Sequence, residues 1–328
     1  MKSNSVMRKF KITDWLLEII LLLLFICFSI IANNFLSMGN VLNILRSIAF
    51  KGIIACFMTM IIVAGEIDLS IGSTVAFASV ISAALNKNMV AAGLNPDVAI
   101  WIAVAIAILG SAVVGVCISV LVIKMKVPSF IVTLAAMQLM RGAALLIANG
   151  FPIQGYPTWF KYLGSGHVGP IPFPTVIFAV FIIITWYVMT NTPFGRSIYA
   201  IGSNPESAKL SGIDVGKIKM LIFMMTSAAA GLVGVMVSAQ LNSGSPNIGT
   251  NYEMDVISSV IIGGASLSGG AGTIRGTLIG CIFTGIILNA MTLLGVSDYW
   301  QYVVRGTLVV FAVFLNTMVK ERLKEKGM

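Results

Sequence analysis

Ile100-Trp-Ile-Ala-Val-Ala-Ile-Ala-Ile-Leu-Gly-Ser-Ala-Val-Val-Gly-Val-Cys-Ile-Ser-Val-Leu-Val-Ile123 contains no charged residue and stops at Lys124-Met125-Lys126. As an α-helix it exceeds the roughly 20 residues needed to cross the hydrocarbon of a bilayer. Apolar runs of this kind recur along the chain, a pattern that a soluble core does not show. Of the 328 residues, 58% are hydrophobic and 10% are charged, against roughly a quarter charged in a soluble domain. Mean hydropathy is +0.97. So little polar surface cannot cover a water-soluble fold, and lipid is the natural solvent.

The net charge is +9, but the cations form no continuous basic face for nucleic acid. They cluster as Lys2, Arg8, Lys9 and Lys11, then Lys124 and Lys126, then Arg196, Lys209, Lys217 and Lys219, and finally Lys320, Arg322, Lys324 and Lys326. Each cluster flanks an apolar run, which is the positive-inside signature of cytoplasmic loops. The pattern predicts an all-α, polytopic membrane fold of about ten transmembrane helices with both termini cytoplasmic. The helices fall at about 15–32, 46–64, 71–92, 100–123, 128–149, 175–191, 219–241, 253–264, 273–294 and 300–318. A basic tail, 1–14, and a second, 319–328, bracket one transmembrane domain, 15–318. Helix 2 begins with an awkward pair of cations, Arg46 and Lys51. The loop 150–174 lies outside and carries Trp159, Phe160 and Tyr162, which suit a headgroup interface. The first run, Trp15 to Ala32, is long for a signal-peptide core and lacks a small-residue exit, so no cleavable signal is expected.

Several chemistries are disfavoured. Cys27, Cys56, Cys117 and Cys281 all sit in apolar runs without a C-x-x-C pair and read as small packing residues. His167 is the sole histidine, so an imidazole-based metal or catalytic site lacks support. Gly212-Ile-Asp-Val-Gly216-Lys217-Ile218 misses both the P-loop spacing and the hydroxyl residue after its lysine. No catalytic triad or dinucleotide fingerprint is present. The chain is not expected to be an enzyme or to hold a cofactor or metal. Gly276-x-x-x-Gly280 permits a close helix contact.

Glu66 and Asp68 stand out among apolar residues. Such acids are costly at membrane depth and mark a functional or structural need. One reading is a proton or cation relay. The other is capping, in which Gly65 breaks helix 2 and Asp68 or Ser70 accepts the free N–H groups opening helix 3. The capping reading is preferred, because both acids lie next to the cytoplasmic boundary. A faint repeat accompanies them. Gly65-Glu-Ile-Asp-Leu-Ser70-Ile-Gly72 and Gly263-Gly264-Ala-Ser266-Leu-Ser268-Gly-Gly270 both read G-x-x-x-L-S-x-G after an inward helix. An even number of crossings separates them, so the repeat would be parallel.

The largest internal segment, 192–218, encodes a short helix. Asn204 is an N-cap, Pro205 suits the first turn, and Glu206 complements the positive helix end. The helix continues through Ser207, Ala208, Lys209, Leu210 and Ser211 to Gly212, a left-handed stop. So short a helix needs tertiary contacts. Either it packs as a surface loop or it meets a partner.

Five motifs carry a resemblance: Gly65–Gly72; Val127-Pro-Ser-Phe-Ile-Val-Thr-Leu134 with Arg141-Gly142; Thr192-Pro-Phe-Gly-Arg196; Gly202 and Asn204 leading to Ser211-Gly212-Ile213; and Val260 to Gly270. Together they resemble the membrane-spanning permease subunits of bacterial ATP-binding-cassette importers, in the ribose, xylose and galactose branch, over about residues 40–318. Glu66 departs from the glycine often found there. The resemblance implies two permease copies forming the pathway, a cytoplasmic ATPase bound to the Asn204–Gly212 helix, and an external sugar-binding protein. ATP would be bound by the ATPase partner. The solute would be a monosaccharide, ribose or a similar sugar, moved by alternating access across the bacterial cytoplasmic membrane. A stand-alone ion-coupled transporter using Glu66 or Asp68 is the alternative.

Overall fold

The computed structural model describes residues 16–325, with side chains described for 17–311, 313 and 314. The tail 1–14 and the last three residues of the tail 319–328 lie outside the described residues. The helices are α1 (Leu16–Ile31), α2 (Met38–Val63), α3 (Ile71–Ala91), α4 (Pro96–Lys124), α5 (Ser129–Ala148), α6 (Tyr162–Ser165) and α7 (Phe173–Asn191). They continue with α8 (Pro193–Ser203), α9 (Pro205–Leu210), α10 (Val215–Leu241), α11 (Tyr252–Ile262), α12 (Ile274–Leu293) and α13 (Asp298–Glu325).

Each run expected from the sequence has a helix, and the ends move for local reasons. α2 starts eight residues early (38 against 46) because the Ser37 side chain accepts the Asn40 N–H at 3.3 Å and Asn40 pairs with Asn289 of α12. α4 starts at Pro96 because Asn95 Oδ1 takes the Asp97 N–H at 2.8 Å. α13 continues past the expected end at 318 to Glu325. The loop 150–174 is not open coil. It holds β1 (Ile153–Gln154), a 3-10 turn over Thr158–Lys161, α6, β2 (His167–Val168) and β3 (Ile171–Pro172). β1 pairs antiparallel with β4 (Ser243–Gly244), and β2 with β3. These two-residue pairs are a small addition to an otherwise helical fold.

Among the described residues, six helices, α2, α4, α5, α7, α10 and α12, are long and apolar enough to cross a membrane. Their burial is unequal. The apolar stretch of α2 is 78% buried, while those of α5 and α7 are 22% buried. Leu109, Leu139 and Ile183 point outward from α4, α5 and α7. A bundle that hides its centre and turns large aliphatic side chains outward is built for hydrocarbon, not water. α3 sits inside, packed on α4, α5 and α10. Ser73, Thr74, Ser79, Ser82 and Asn86 are buried on it, and they lower its hydropathy while remaining within the protein.

Hydrocarbon supplies no hydrogen bonds, and several buried hydroxyls bond within the bundle. Thr59 donates to the Ala55 carbonyl, Ser111 to Ala107 and Thr226 to Ile222, each one turn back. Thr59 meets Thr277 of α12 at 2.7 Å, and Ser259 of α11 meets Thr284 of α12 at 2.7 Å. Small residues set the closest approaches. Gly276 and Gly280 bring α12 against the backbone of Gly263 and Ser259, which is the close contact expected from their spacing.

A Gly280→Val substitution therefore forces α12 away from the Ser259 carbonyl. It should lower stability by about 1–3 kcal/mol, read as earlier loss of helicity when the micelle-solubilised protein is titrated with SDS. Gly110→Val, at a position where a Cβ meets nothing within 4 Å, should leave the curve in place.

Candidate functional site

The internal segment folds into two helices. In α9, Asn204 Oδ1 accepts the Ser207 N–H at 3.0 Å, Pro205 occupies the first turn, and Glu206 lies at the positive end. Gly212 has φ +83°, and the Gly212 and Ile213 N–H groups close onto the Lys209 and Ala208 carbonyls at 3.0 and 3.1 Å. Cap and stop thus take the expected forms, with the helix itself ending at Leu210. Only Ala208 of α9 is buried, whereas Leu210 is 89% exposed. The apolar tip of α9 is thus held out from the bundle by a rigid turn.

α8 had no counterpart in the sequence reading. Thr192 Oγ1 accepts the Gly195 N–H at 3.2 Å ahead of Pro193, repeating the cap-then-proline signal of Asn204-Pro205. That signal was available in the residues. Ile198 and Ile201 bury one face of α8.

α8 joins the two glycine breaks. The Val63 carbonyl, at the end of α2, accepts the Gly270 N–H at 2.9 Å. The Tyr199 hydroxyl donates to the Gly272 carbonyl at 2.7 Å. Gly202 fits where a Cβ would strike the Val63 carbonyl and the Gly270 N–H. The end of α2, the 266–272 loop and the end of α8 are therefore one packed cluster.

The breaks are alike in how they stop a helix and unlike beyond it. Gly65 (φ +81°) ends α2, with the Glu66 N–H reaching the Ile61 carbonyl at 3.0 Å. Gly264 (φ +91°) ends α11, with the Ala265 N–H reaching Val260 at 3.2 Å. Gly65 thus matches Gly264, one residue from the Gly263 that the sequence motif aligns. Gly263 instead packs on the Gly276 carbonyl. Ser266 is buried and closes a turn to Ala271 and Gly269, while Ser268 is exposed.

Glu66 pairs with Lys219 of α10. Asp68 is fully buried, and its Oδ1 takes the Ser70 N–H at 2.8 Å and the Ser70 hydroxyl at 2.6 Å. Of the two acceptors expected for the N–H groups opening α3, Asp68 takes one, that of the N-cap residue Ser70. Asp68 orders a turn just before α3, and the Ser70 side chain makes no cap bond to the first turn of that helix. A cleft of about 630 Å³ lies between Glu66, Lys126, Ser129, Lys209, Asp214 and Lys219, beneath α9.

Sequence reasoning also missed Asp255. This acid of α11 is 4% exposed and takes Lys51 of α2 at 2.6 Å and Arg305 of α13 at 2.8 Å. Lys51 stood out in the sequence, but its partner lies 204 residues away, and no local pattern announces it.

Known proteins locate this architecture. The family model described as branched-chain amino acid transport system / permease component matches residues 40–313. The ribose import permease protein RbsC of Bacillus subtilis (strain 168) is 40% identical over 298 residues, covering 90% of each chain. That of Escherichia coli (strain K12) is 36% identical over 317 residues, covering 94% of this chain and 96% of its own. The L-arabinose ABC transporter permease protein AraH of Azospirillum brasilense is 32% identical over 297 residues, covering 90% and 85%. No solved structure matches. With the match spanning nearly all of a helical membrane bundle, this chain belongs to the branched-chain amino acid transport system / permease component family.

Proposed function

We propose that this chain is the permease subunit of an ATP-binding-cassette importer of the bacterial cytoplasmic membrane, carrying ribose or a similar monosaccharide inward. The observation that carries the reading is α9. It is capped at both ends, presents an apolar tip to solvent, and stands beside α8, which packs on the end of α2 at Val63 and is bonded to the 266–272 loop through Tyr199. Relatives named as ribose import permeases supply the solute class.

The permease hydrolyses nothing itself. A separate ATPase grips the Asn204–Gly212 helix over the cleft at Glu66, Lys126 and Lys209. An external sugar-binding protein delivers the solute, and a second copy of the chain completes the pathway. ATPase closure displaces α9, and α8 passes the motion to Val63 of α2 and to the 266–272 loop. The pathway then alternates between outward and inward access. Ten crossings, with both termini and α8–α9 inside and 150–174 outside, accommodate every basic cluster. The ion-coupled alternative has little to work with. Glu66 is already paired with Lys219, and Asp68 is engaged with Ser70 within its own turn.

Three tests follow from this arrangement. A single cysteine at residue 161 should label with an impermeant reagent from outside intact cells and one at residue 209 only after permeabilisation. The reverse pattern would sink the topology. Gly212→Val places a β-branched residue at φ +83°, at a cost of about 1–3 kcal/mol. The permease should still insert, while co-purifying ATPase and ribose uptake are lost. Retention of both would refute the docking role. Asp68→Asn keeps an oxygen for the Ser70 N–H, so ribose uptake should persist. Its abolition at normal membrane abundance, with uptake tied to a pH gradient, would restore the ion-coupled reading.

A further inference from the structure

Three helices turn polar stripes toward one cavity of about 230 Å³. α2 contributes Asn43, Ser47 and Lys51, each one turn from the next. α13 contributes Gln301 and Arg305 with the same spacing, and α12 contributes Asn289 and Thr292. The cavity lies toward the end of the bundle opposite α8 and α9. It is near Asn40 at the start of α2, whereas α2 meets α8 at Val63, its other end.

Polar stripes inside a membrane bundle are costly and mark solute routes. Here the polar groups are incompletely used. Asp255 binds Arg305 through Nε alone and Lys51 through one proton of its ammonium. The terminal guanidinium nitrogens of Arg305 have no hydrogen-bond partner among the described residues. Asn43 and Ser47 likewise make no side-chain bonds there. Asn289, by contrast, is fixed by its reciprocal pair with Asn40 at 2.8 and 3.0 Å. The cavity therefore offers free N–H donors above an ion-pair floor and amide and hydroxyl groups on its walls. It is smaller than the ~300–1,000 Å³ of drug-sized sites, and it suits one sugar ring.

We propose that this cavity is a transient binding subsite for a neutral monosaccharide on its way through the permease. Sugar hydroxyl oxygens accept from Arg305 and Lys51. Sugar hydroxyl protons go to the side-chain oxygens of Asn43 and Gln301. Asp255 holds the two cations in position and neutralises one of them; the neutral class of solute comes from the importer reading. The proposal rests on the importer reading and adds a place to it.

The test uses the complete transporter in proteoliposomes, with its ATPase and binding protein, and radiolabelled D-ribose. Asn43→Leu and Thr292→Val leave the ion triad in place. Each should cut ribose uptake by about tenfold, the scale of one or two lost hydrogen bonds, while ATP hydrolysis triggered by loaded binding protein stays near wild type. In Thr292→Cys, D-ribose should slow labelling by an impermeant thiol reagent by about threefold or more, a modest occupancy effect, and glycerol should not. Unchanged uptake in both variants, with labelling at residue 292 indifferent to ribose, overturns the subsite and leaves the importer reading standing. Stronger protection by glucuronate than by ribose overturns the neutral-solute class. A wild-type transporter that imports no monosaccharide overturns the importer reading, and the subsite with it.

Discussion

Backbone N–H and C=O groups in hydrocarbon have no water to bond, so each must find a partner inside the protein. The bundle depends on that constraint. α2 and α11 end only where their last carbonyls are taken up, at Gly65 and Gly264, through left-handed closures that an L side chain resists. The Val63 carbonyl, near the end of α2, is taken by Gly270 from a loop far along the chain. The bond that satisfies one helix end thus also ties it to another break. A requirement of solvation becomes a mechanical link.

The same constraint explains the central position of α2. It packs on α7, α8, α10, α11 and α12, and its apolar surface is mostly inside. At one end it is tied to the 266–272 loop and to α8. Toward the other, Lys51 reaches Asp255 and Arg305. Breaking a buried pair by removing one partner costs about 3–5 kcal/mol, so α2, α11 and α13 move together or pay heavily. α2 is then a rigid rod between the cluster at α8 and the polar cavity. The coupling proposed above would carry a movement of α8 at Val63 along α2 as a rigid helix, without a continuous wire of side chains.

Much of this was legible in the residues. The helices followed from apolar length, because bilayer thickness sets a scale that sequence displays directly. α9 followed from Asn204-Pro205 and Gly212, since caps are local chemistry. The α2 boundary was misjudged because Asn40 is stabilised by Asn289, a contact between distant helices. α8 was overlooked although Thr192-Pro193 announced it. The fold of 150–174 was hidden because β1 borrows its pairing from Ser243–Gly244. Asp68 stood out as an acid among apolar residues, and it takes the N–H of Ser70 at the start of α3, whereas the Ser70 side chain makes no cap bond there. The Lys51–Asp255–Arg305 triad was illegible for a deeper reason. Sequence shows an unpaired cation at position 51, but only topology brings its acid to it.

That triad also bears on how energy must enter. Two cations sharing one carboxylate leave a surplus positive charge in a largely apolar bundle, close to the wall of a cavity. Such a charge cannot be moved cheaply, since every step away from Asp255 exposes it to hydrocarbon. The surplus is therefore better suited to remain fixed and donate hydrogen bonds than to travel as a coupling ion. Glu66 is likewise neutralised in place by Lys219, beside the cleft under α9. Lys51 and Glu66, the charged groups at the middle and just past one end of α2, are thus committed to partners. What the chain does have is an exposed, capped, six-residue helix next to α8, which packs on the end of α2 and is bonded to the 266–272 loop. Work delivered there as displacement reaches the bundle directly, and that geometry fits a motor outside the chain.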